Sequence, residues 1–210
     1  METYEKLEHE LAAWAGYEPE QMVVCSSGTA ALHLALECLR LPQGSEVILS
    51  DFNMIACPRA VTLAGLKPVF VDCRENNLLI SVLKAVRQLC RGSKDNVRGL
   101  MTTHIYGRKC DMNHLIGAAR QNGQYVIEDM AEIHGVRPHK DTDAACWSFY
   151  RNKIVAGEEG GAVAFRNSDQ ADYARSLRSL GFTKAHDFMH NPRGHNYRMS
   201  NIHACLILDS

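Results

Sequence analysis

Residues 146–161 read Cys-Trp-Ser-Phe-Tyr-Arg-Asn-Lys-Ile-Val-Ala-Gly-Glu-Glu-Gly-Gly, so that a single lysine, Lys153, lies between an apolar, aromatic run and a glycine-rich turn. An amine at the end of a buried strand loses solvation, which disfavours its charged form and can leave a nucleophilic free base. A lysine on a surface loop would give the same local pattern. Two other stretches of the chain are needed to decide between these interpretations.

The first of these stretches is Ser-Ser-Gly-Thr at residues 26–29, between a predicted strand and a predicted helix. Free amide groups and the positive end of the helix dipole make such a junction an anion site. Gly28 lets the backbone come close to a ligand, and Ser27 or Thr29 can add a hydroxyl group. Simple N-capping of the helix is the alternative. The stretch is neither a Walker motif nor Gly-x-Gly-x-x-Gly, which disfavours nucleotide hydrolysis.

The second stretch ends a strand with the carboxylates Glu128 and Asp129. Poorly hydrated at a strand end, Asp129 would stay ionised beside a cation such as the protonated pyridine nitrogen of pyridoxal phosphate, an attraction of about 4 kcal/mol. A helix N-cap and a metal ligand are the alternatives for this aspartate. Consecutive strand residues point to opposite faces, so Glu128 and Asp129 are not expected to share one ion. Lysine, carboxylate and phosphate cradle together are what pyridoxal phosphate requires.

Apolar runs alternate with helical patterns along the chain. We predict helices at 4–15, 29–41, 55–64, 78–90, 111–123 and 168–180, and strands at 22–25, 46–49, 68–71, 99–103, 125–127, 146–149 and 162–165. The alternation predicts an α/β fold, a three-layer α/β/α sandwich with a mostly parallel sheet. Ligands of such sheets bind beyond the carboxyl ends of the strands. Residues 26–29, Asp129 and Lys153 all follow predicted strands, so we expect them to meet at one edge.

Composition excludes several classes of function. The 210 residues carry a net charge of −1, which gives no global field for nucleic acid or an anionic membrane. No apolar run approaches the roughly 20 residues of a membrane span. The N-terminus does not resemble a secretory signal. The 8 cysteines are scattered without a Cys-x-x-Cys pair, which disfavours a disulfide framework or zinc ribbon. We therefore expect a cytoplasmic protein.

Histidines raise the question of a metal site. They cluster towards the end of the chain, at His186, His190, His195 and His203. No His-Glu-x-x-His pattern and no cysteine pair accompanies them, so no metal site is predicted. Residues 182–197 are predicted to form a loop. Two other histidines, His33 and His114, are expected on helix surfaces.

With these motifs in hand, the chain resembles the DegT/StrS-type sugar aminotransferases, which are pyridoxal-phosphate enzymes of fold type I. The resemblance runs almost from end to end. Its carriers are Ser26–Leu36, Leu66–Asp72, His104–Gly107, Tyr125–Asp129, Ser148–Lys153, Glu159–Gly161 and Asn196–Ser200.

The resemblance implies a role for each matching residue. Lys153 would bind the cofactor covalently and later move the proton between the substrate carbon and the cofactor, and Asp129 would bind the pyridine nitrogen. The phosphate would be held by Gly28, Thr29 and Ser148. Asn196 would reach the phosphate of a neighbouring subunit in a homodimer with shared active sites. The implied reaction transfers an amino group from glutamate to a keto sugar linked to a nucleotide, or in some members to an aminocyclitol precursor.

The chain departs from the family pattern at several positions. Met54 stands where the family has an aromatic residue stacked on the cofactor ring, and Phe52 is at the neighbouring position. Glu132 stands where many members have glutamine. Perosamine-synthase-like members also have glutamate at this position. A dehydrating branch carries histidine in place of Lys153. We interpret residues 1–210 as the cofactor-binding large domain, with the family's N-terminal arm and C-terminal small domain absent or incomplete. A non-catalytic module that keeps the fold and dimer surface is the alternative, and a lyase of the same fold type is a third hypothesis.

Overall fold

A seven-stranded sheet forms the centre of the molecule. The computed structural model describes residues 2–91, 96–183, 189–190 and 193–210. The strands are β1 (Met22–Cys25), β2 (Glu46–Ser50), β3 (Lys67–Val71), β4 (Val97–Thr103), β5 (Tyr125–Asp129), β6 (Ala144–Ser148) and β7 (Gly161–Phe165).

Seven α-helices accompany the sheet in the described part of the chain. They are α1 (Thr3–Ala15), α2 (Gly28–Cys38), α3 (Ala56–Leu63), α4 (Val82–Arg91), α5 (Met112–Gln121), α6 (Ser168–Arg178) and α7 (Asn201–Leu208). Two short 3₁₀ helices cover Pro19–Gln21 and Ile105–Gly107. The longest described helix, α1, has 13 residues, and no helix among the described residues is long and apolar enough to cross a membrane.

The strand order in the sheet is β1-β7-β6-β5-β4-β2-β3. The four pairs from β6 to β3 are parallel, whereas β7 pairs antiparallel with both of its neighbours, β6 and β1. Since β7 is antiparallel to both β1 and β6, these two strands run in the same direction. The carboxyl ends of β1, β5 and β6 therefore lie at one edge of the sheet, as the sequence predicts.

Both faces of the sheet are covered by helices, because most strands are apolar on both faces. On one face, alternate residues of the strands, such as Val23, Met101 and Ile127, pack against α2, α3 and α6. On the other face, α1 and α7 cover β1, β7 and β6, and α4 and α5 cover the part formed by β2, β4 and β5. The predicted three-layer α/β/α sandwich is confirmed.

Several predicted boundaries are wrong for identifiable local reasons. Helix α2 ends at Cys38 rather than residue 41, and α4 begins at Val82 rather than residue 78. In the second case, Ile80 forms an isolated β-bridge with Cys73, which keeps the preceding residues extended. Helix α6 is capped by Asn167, whose side chain accepts the amide of Asp169.

Two further features were not anticipated. Helix α7 was missed, because its residues are apolar on most sides and give little amphipathic signal. His33, expected on a helix surface, is only 4% exposed, because α2 is covered by the sheet, by neighbouring helices and by residues 195–197. His114 is exposed, as predicted.

A buried ion pair joins α1 to α6 beneath the edge strand β1. The Glu8 carboxylate lies 2.8 Å from a guanidinium nitrogen of Arg178, and both residues are less than a tenth exposed. Glu8 also accepts the amide of Val24, and Arg178 donates to the carbonyl of the same residue. The pair therefore satisfies both backbone groups of Val24, which lies on the strand that leads into residues 26–29.

We predict that Glu8→Ala destabilises the protein by roughly 3–5 kcal/mol, because it leaves the Arg178 guanidinium buried without its main counter-charge. Urea unfolding followed by circular dichroism would measure the loss. Glu10→Ala, an exposed substitution on the same helix, is the matched control and should stay within about 0.5 kcal/mol of wild type. Equal losses in the two variants would contradict the importance of the pair.

Candidate active site

A cavity of about 240 Å³ opens at the sheet edge where β1, β5 and β6 end. Its walls come from the start of α2, the segment before α3, the end of β5 and the loop after β6. The lining includes seven of the eight residues predicted from the sequence, namely Gly28, Thr29, Met54, Asp129, Glu132, Ser148 and Lys153. Asn196 does not belong to this lining.

The junction between β1 and α2 caps the helix and leaves backbone amides available for an anion. Ser27 accepts the amide of Ala30 through its hydroxyl at 3.2 Å and the amide of Ala31 through its carbonyl at 3.0 Å. The amides of Gly28 and Thr29 belong to the same first turn, which has no intrahelical acceptors. Capping by Ser27 and anion binding by the remaining amides are thus compatible, and the two sequence interpretations need not compete.

Gly28 is required by the close approach of α2 to strand β6. A Cβ atom at this position would lie 2.6 Å from the Ser148 Cβ and 3.0 Å from its Oγ. Real Cβ atoms do not approach other atoms this closely. The absence of a side chain at Gly28 therefore brings the Ser148 hydroxyl against the helix N-terminus, where both can contact one anion.

Asp129 is buried at the floor of the cavity. Its Oδ1 accepts the amide of Ala131 at 3.0 Å, and its Oδ2 accepts the Cys57 thiol at 3.1 Å. Burial raises the pKa of Asp129, and the hydrogen bonds together with the charges of His104 and Lys153 oppose this increase only in part. A carboxylate in this state gains stability from a cation placed against it.

Glu128 faces away from the cavity, as strand geometry predicts. Its carboxylate lies 2.8 Å from His104 Nε2 and accepts the amide of His139 and the hydroxyl of Thr142. Burial acts to raise the pKa of Glu128, but the hydrogen bonds and charge of His104, with those of Thr142 and the His139 amide, outweigh it and lower the pKa. The two adjacent carboxylates therefore serve separate networks and do not share one ion.

Lys153 lies in the loop of residues 149–160, which connects β6 to the antiparallel β7. The loop is closed by a bond of 2.9 Å from the amide of Phe149 to the carbonyl of Gly160, and the Lys153 amide donates to the carbonyl of Tyr150 at 2.8 Å. The side chain is 20% exposed, and its Nζ lies 3.9 Å from the nearer oxygen of Glu132. The lysine is thus not an extended surface residue but a cavity residue held by a structured loop.

Two residues of the lining differ in how firmly they are held. Glu132 accepts the amide of Tyr106 at 2.8 Å through one oxygen, while the other faces Lys153. Met54 is 61% exposed and has its thioether side chain at the mouth of the cavity. Phe52 contacts the ring of Tyr106 at 6.3 Å between centroids and does not belong to the cavity lining.

Asn196 lies on the exposed surface beside the cradle rather than in the cavity of its own chain. It forms an isolated bridge with Ser179. The carbonyl of the next residue, Tyr197, accepts the amide of Ser26 at 2.8 Å. The segment that carries Asn196 is therefore bonded to the β1–α2 junction, although the Asn196 side chain is not part of this cavity.

Sequence reasoning missed several residues that complete the site. Thr103 ends β4 at the same edge and lines the cavity, so the rule about strand ends would have found it. Cys57 comes from the first turn of α3 and had no sequence signal, since cysteines here resemble small apolar residues. His134 accepts the amide of Val155 at 3.0 Å and so supports the lysine loop; burial lowers its pKa to about 4.

The histidines near the end of the chain, for which no metal site is predicted, make different contacts. His190 contacts the Leu180 carbonyl, and His203 contacts the Ser200 hydroxyl at the start of α7. His186 and part of the predicted loop at 182–197 lie outside the described residues. His195 contacts Glu37 on α2 at 2.6 Å.

The residues present fit pyridoxal phosphate. The amides of Gly28 and Thr29 with the Ser148 hydroxyl can hold a phosphate group. A buried carboxylate with a raised pKa, Asp129, is suited to a ring cation. Lys153 lines the same cavity, so its amine can reach a group bound between cradle and carboxylate.

Comparison with known proteins agrees with this geometry. A model of the DegT/DnrJ/EryC1/StrS aminotransferase family matches residues 2–210. A GDP-perosamine synthase of Caulobacter vibrioides is 36% identical over 191 residues, which cover 88% of this chain and 50% of the relative. A dTDP-3-amino-3,4,6-trideoxy-alpha-D-glucose transaminase of Streptomyces venezuelae is 31% identical over 209 residues, covering 97% and 53%. The chain thus spans about half the length of these curated relatives.

A solved structure extends the likeness to three dimensions. NtdA from Bacillus subtilis, with its bound cofactor PMP, superimposes with a TM-score of 0.88 at 27% identity; the match covers all of this chain and 47% of NtdA. The predicted fold type I architecture is confirmed by this and other aminotransferase structures.

We predict that Gly28→Ala weakens pyridoxal phosphate binding at least about tenfold, or ~1.4 kcal/mol, because the new methyl group must displace Ser148 from the cradle. Overpacking should also cost about 1–3 kcal/mol of stability. Titration by absorbance would measure affinity. Gly117→Ala in α5, where a Cβ meets nothing within 4 Å, should leave binding unchanged and stabilise the helix by up to about 1 kcal/mol. Unaltered binding by the Gly28 variant would exclude the cradle.

A second prediction concerns Asp129 and pH. Its folded pKa is raised by burial, so the folded cofactor-free protein binds this proton more tightly than the unfolded chain does, whose reference pKa is 3.8. The contribution of Asp129 to stability therefore falls as the pH rises from about 3.8 through the folded pKa. We expect Asp129→Asn to be more stable than wild type at pH 7 without cofactor, and to lose this advantage at pH 3.

Urea unfolding at a series of pH values would measure the difference. Asp209→Asn, at an exposed position, should reproduce the wild-type profile. If the Asp129 variant ran parallel to wild type at every pH, the carboxylate would not be destabilised by burial.

Proposed function

The chain belongs to the DegT/DnrJ/EryC1/StrS aminotransferase family, and from this premise we propose that it binds pyridoxal phosphate and transfers an amino group to a keto sugar linked to a nucleotide. The observation that carries the proposal is the convergence of Lys153, Asp129 and the Gly28–Ser148 cradle on one cavity. Each of the three comes from a different strand end, and together they match the amine, ring-nitrogen partner and phosphate site that the cofactor needs.

The cradle and the carboxylate would fix the two ends of the cofactor. The amides of Gly28 and Thr29 and the hydroxyl of Ser148 would bind the phosphate. Asp129 holds a proton on the ring nitrogen, since an attraction of about 4 kcal/mol corresponds to roughly three pKa units. Cys57 donates its thiol hydrogen to the same carboxylate and so orients it. When bound, the cofactor supplies a carbonyl carbon that carries the amino group and a protonated ring that withdraws electrons.

Lys153 is the proposed catalytic residue. Its Nζ would bind the cofactor covalently and would carry the proton that moves between the substrate carbon and the cofactor. Glu132, whose carboxylate lies 3.9 Å from Nζ, accepts the amide of Tyr106 and would position the lysine side chain. Met54, which lines the cavity, would pack against the bound cofactor through its polarizable thioether.

For the substrates, we propose glutamate as the amino donor and a nucleotide-linked keto sugar as the acceptor. Curated relatives named as GDP-perosamine synthases and as a dTDP-sugar transaminase support the acceptor class. Glu132 agrees with the perosamine-synthase-like pattern. The residues that select the sugar are not all expected within residues 1–210, which we propose to be the cofactor-binding large domain.

We further propose a homodimer in which Asn196 reaches the cofactor phosphate of the partner. In support, Asn196 is exposed, lies outside the cavity of its own chain and is adjacent to the bond between Tyr197 and Ser26. Exposed apolar side chains near the cavity mouth, Met54 and Ile55, would gain cover at such an interface. A cytoplasmic location stays a prediction; all eight cysteines are free thiols, which agrees with it.

A single experiment tests the covalent role of Lys153. Pyridoxal phosphate is added to the protein, the visible spectrum is recorded before and after borohydride, and the reduced adduct is located by peptide mass. We expect one adduct, on Lys153, and none in Lys153→Ala, with loss of turnover by a factor of at least about 10³. Lys140→Ala, which removes an exposed lysine, is the control and should keep the adduct.

Turnover separates the leading function from its alternatives. Formation of 2-oxoglutarate from glutamate that depends on a GDP- or dTDP-linked keto sugar would support the aminotransferase. A Lys153 adduct without any turnover would favour the non-catalytic module, and product from an amino acid without an acceptor would favour a lyase. The presence of Lys153, Asp129, Gly28 and Ser148 around one cavity does not favour the non-catalytic alternative.

A further inference from the structure

A second cluster of ligating side chains lies on the far side of α2 from the sheet. His33 and Glu37 are one helical turn apart on α2, and His195 approaches them from the segment before α7. Their ligating atoms all lie within 4.8 Å of one another. The Glu37 carboxylate oxygen is 3.9 Å from His33 Nε2 and 2.6 Å from His195 Nε2.

His33 has an unused ring nitrogen aimed into this cluster. The residue is only 4% exposed, and its Nε2 has no hydrogen-bond partner among the described residues. A buried polar atom without a partner is costly, so Nε2 would gain free energy by binding a ligand. The Glu37 oxygen at 3.9 Å is too distant for a hydrogen bond but suitably placed to share an ion with Nε2.

Tyr197 holds the His33 ring in the orientation that a metal ligand needs. Its Oη lies 3.1 Å from His33 Nδ1, so the imidazole can donate its Nδ1 hydrogen to the hydroxyl and keep the Nε2 lone pair free. The Tyr197 ring also stacks on the His195 ring, with centroids 4.7 Å apart and planes at 17°. Hydrogen bonds of this kind on the second ring nitrogen are the usual support of metal-bound histidine.

We propose that His33 Nε2, Glu37 and His195 Nε2 bind one divalent transition metal ion, of which Zn²⁺ is the best match. Two imidazoles and one carboxylate are borderline ligands that suit zinc, cobalt and nickel rather than magnesium or calcium. The cluster opens to a surface cleft lined by Gln43, Arg193 and Gly194 among others, so an ion can enter and a water can complete its coordination. The exposed Arg193 guanidinium is screened by solvent.

The sequence did not predict this site because its ligands are far apart along the chain. His33 and Glu37 form only a two-ligand pair at helical spacing, and residues 193–197 supply the third ligand through the fold. An ion here would tie the segment containing Tyr197, which is bonded to Ser26, onto α2. The site is separate from the cofactor cavity and does not depend on the proposed function.

The test uses the full chain, free of metal, titrated with Co²⁺ and Zn²⁺. We expect one Co²⁺ per chain, with visible d–d absorption but without the intense charge-transfer band of a thiolate ligand, since the cluster contains no cysteine. Glu37→Gln and His195→Gln should each lower affinity at least about tenfold, and Tyr197→Phe, which keeps the ring but loses the hydroxyl, by roughly 10- to 100-fold. Zn²⁺ should raise the melting temperature of wild type and not of Glu37→Gln.

His114→Gln is the matched control, because His114 forms an exposed contact of 2.8 Å with Asp111 on another helix and should not affect binding. Circular dichroism identifies any variant that fails to fold, and the partly exposed His195 and Glu37 substitutions keep the test valid if a change at buried His33 does not fold. Absence of Co²⁺ binding by wild type, or equal affinity in wild type and Glu37→Gln, would overturn the proposal.

Discussion

The candidate active site depends on one close crossing of backbones, where the turn from β1 into α2 passes over the ends of β6 and β7. A Cβ atom on Gly28 would lie 2.6 Å from the Ser148 Cβ, and one on Gly161 would lie 2.3 Å from the Ser27 carbonyl oxygen. No side chain fits at either position. Because the crossing is so close, the helix N-terminus, the Ser148 hydroxyl and the loop with Lys153 surround a single cavity.

A buried polar layer beneath the cavity keeps Asp129 in place. Glu128 is bonded to His104, Thr142 and the His139 amide on the opposite face of β5, and His104 in turn accepts the amide of Cys110 through Nδ1. The carboxylate of Glu128 is fully satisfied there, whereas that of Asp129 is left with a raised pKa. Strand alternation thus separates a structural carboxylate from one suited to a cationic ligand.

The sequence predicted the sheet and most of the cavity because both follow from local patterns. Apolar runs predict all seven strands, and the rule that ligands bind beyond strand ends places Gly28, Asp129 and Lys153 together. Residues that meet only through tertiary packing were missed: Cys57 reaches Asp129 from α3, and α7 gave no amphipathic signal. The burial of His33 was missed for the same reason. His195 and Tyr197, which follow α6 in the chain, contact His33 and cover this face of α2.

The antiparallel strand β7 has a consequence for the order in which the molecule folds. Strand β1 pairs with β7 through Met22–Ala164 and Cys25–Gly161, contacts between residues that are far apart in the chain. Pairing of this kind closes a long loop and is slow compared with local helix formation. The strands β2 to β5 pair with segments nearer in the chain, whereas in the finished sheet β7 lies between β1 and β6. The junction that leads into α2 therefore depends on a pairing partner made about 140 residues later, so during synthesis it can gain this support only after residue 165 has been added.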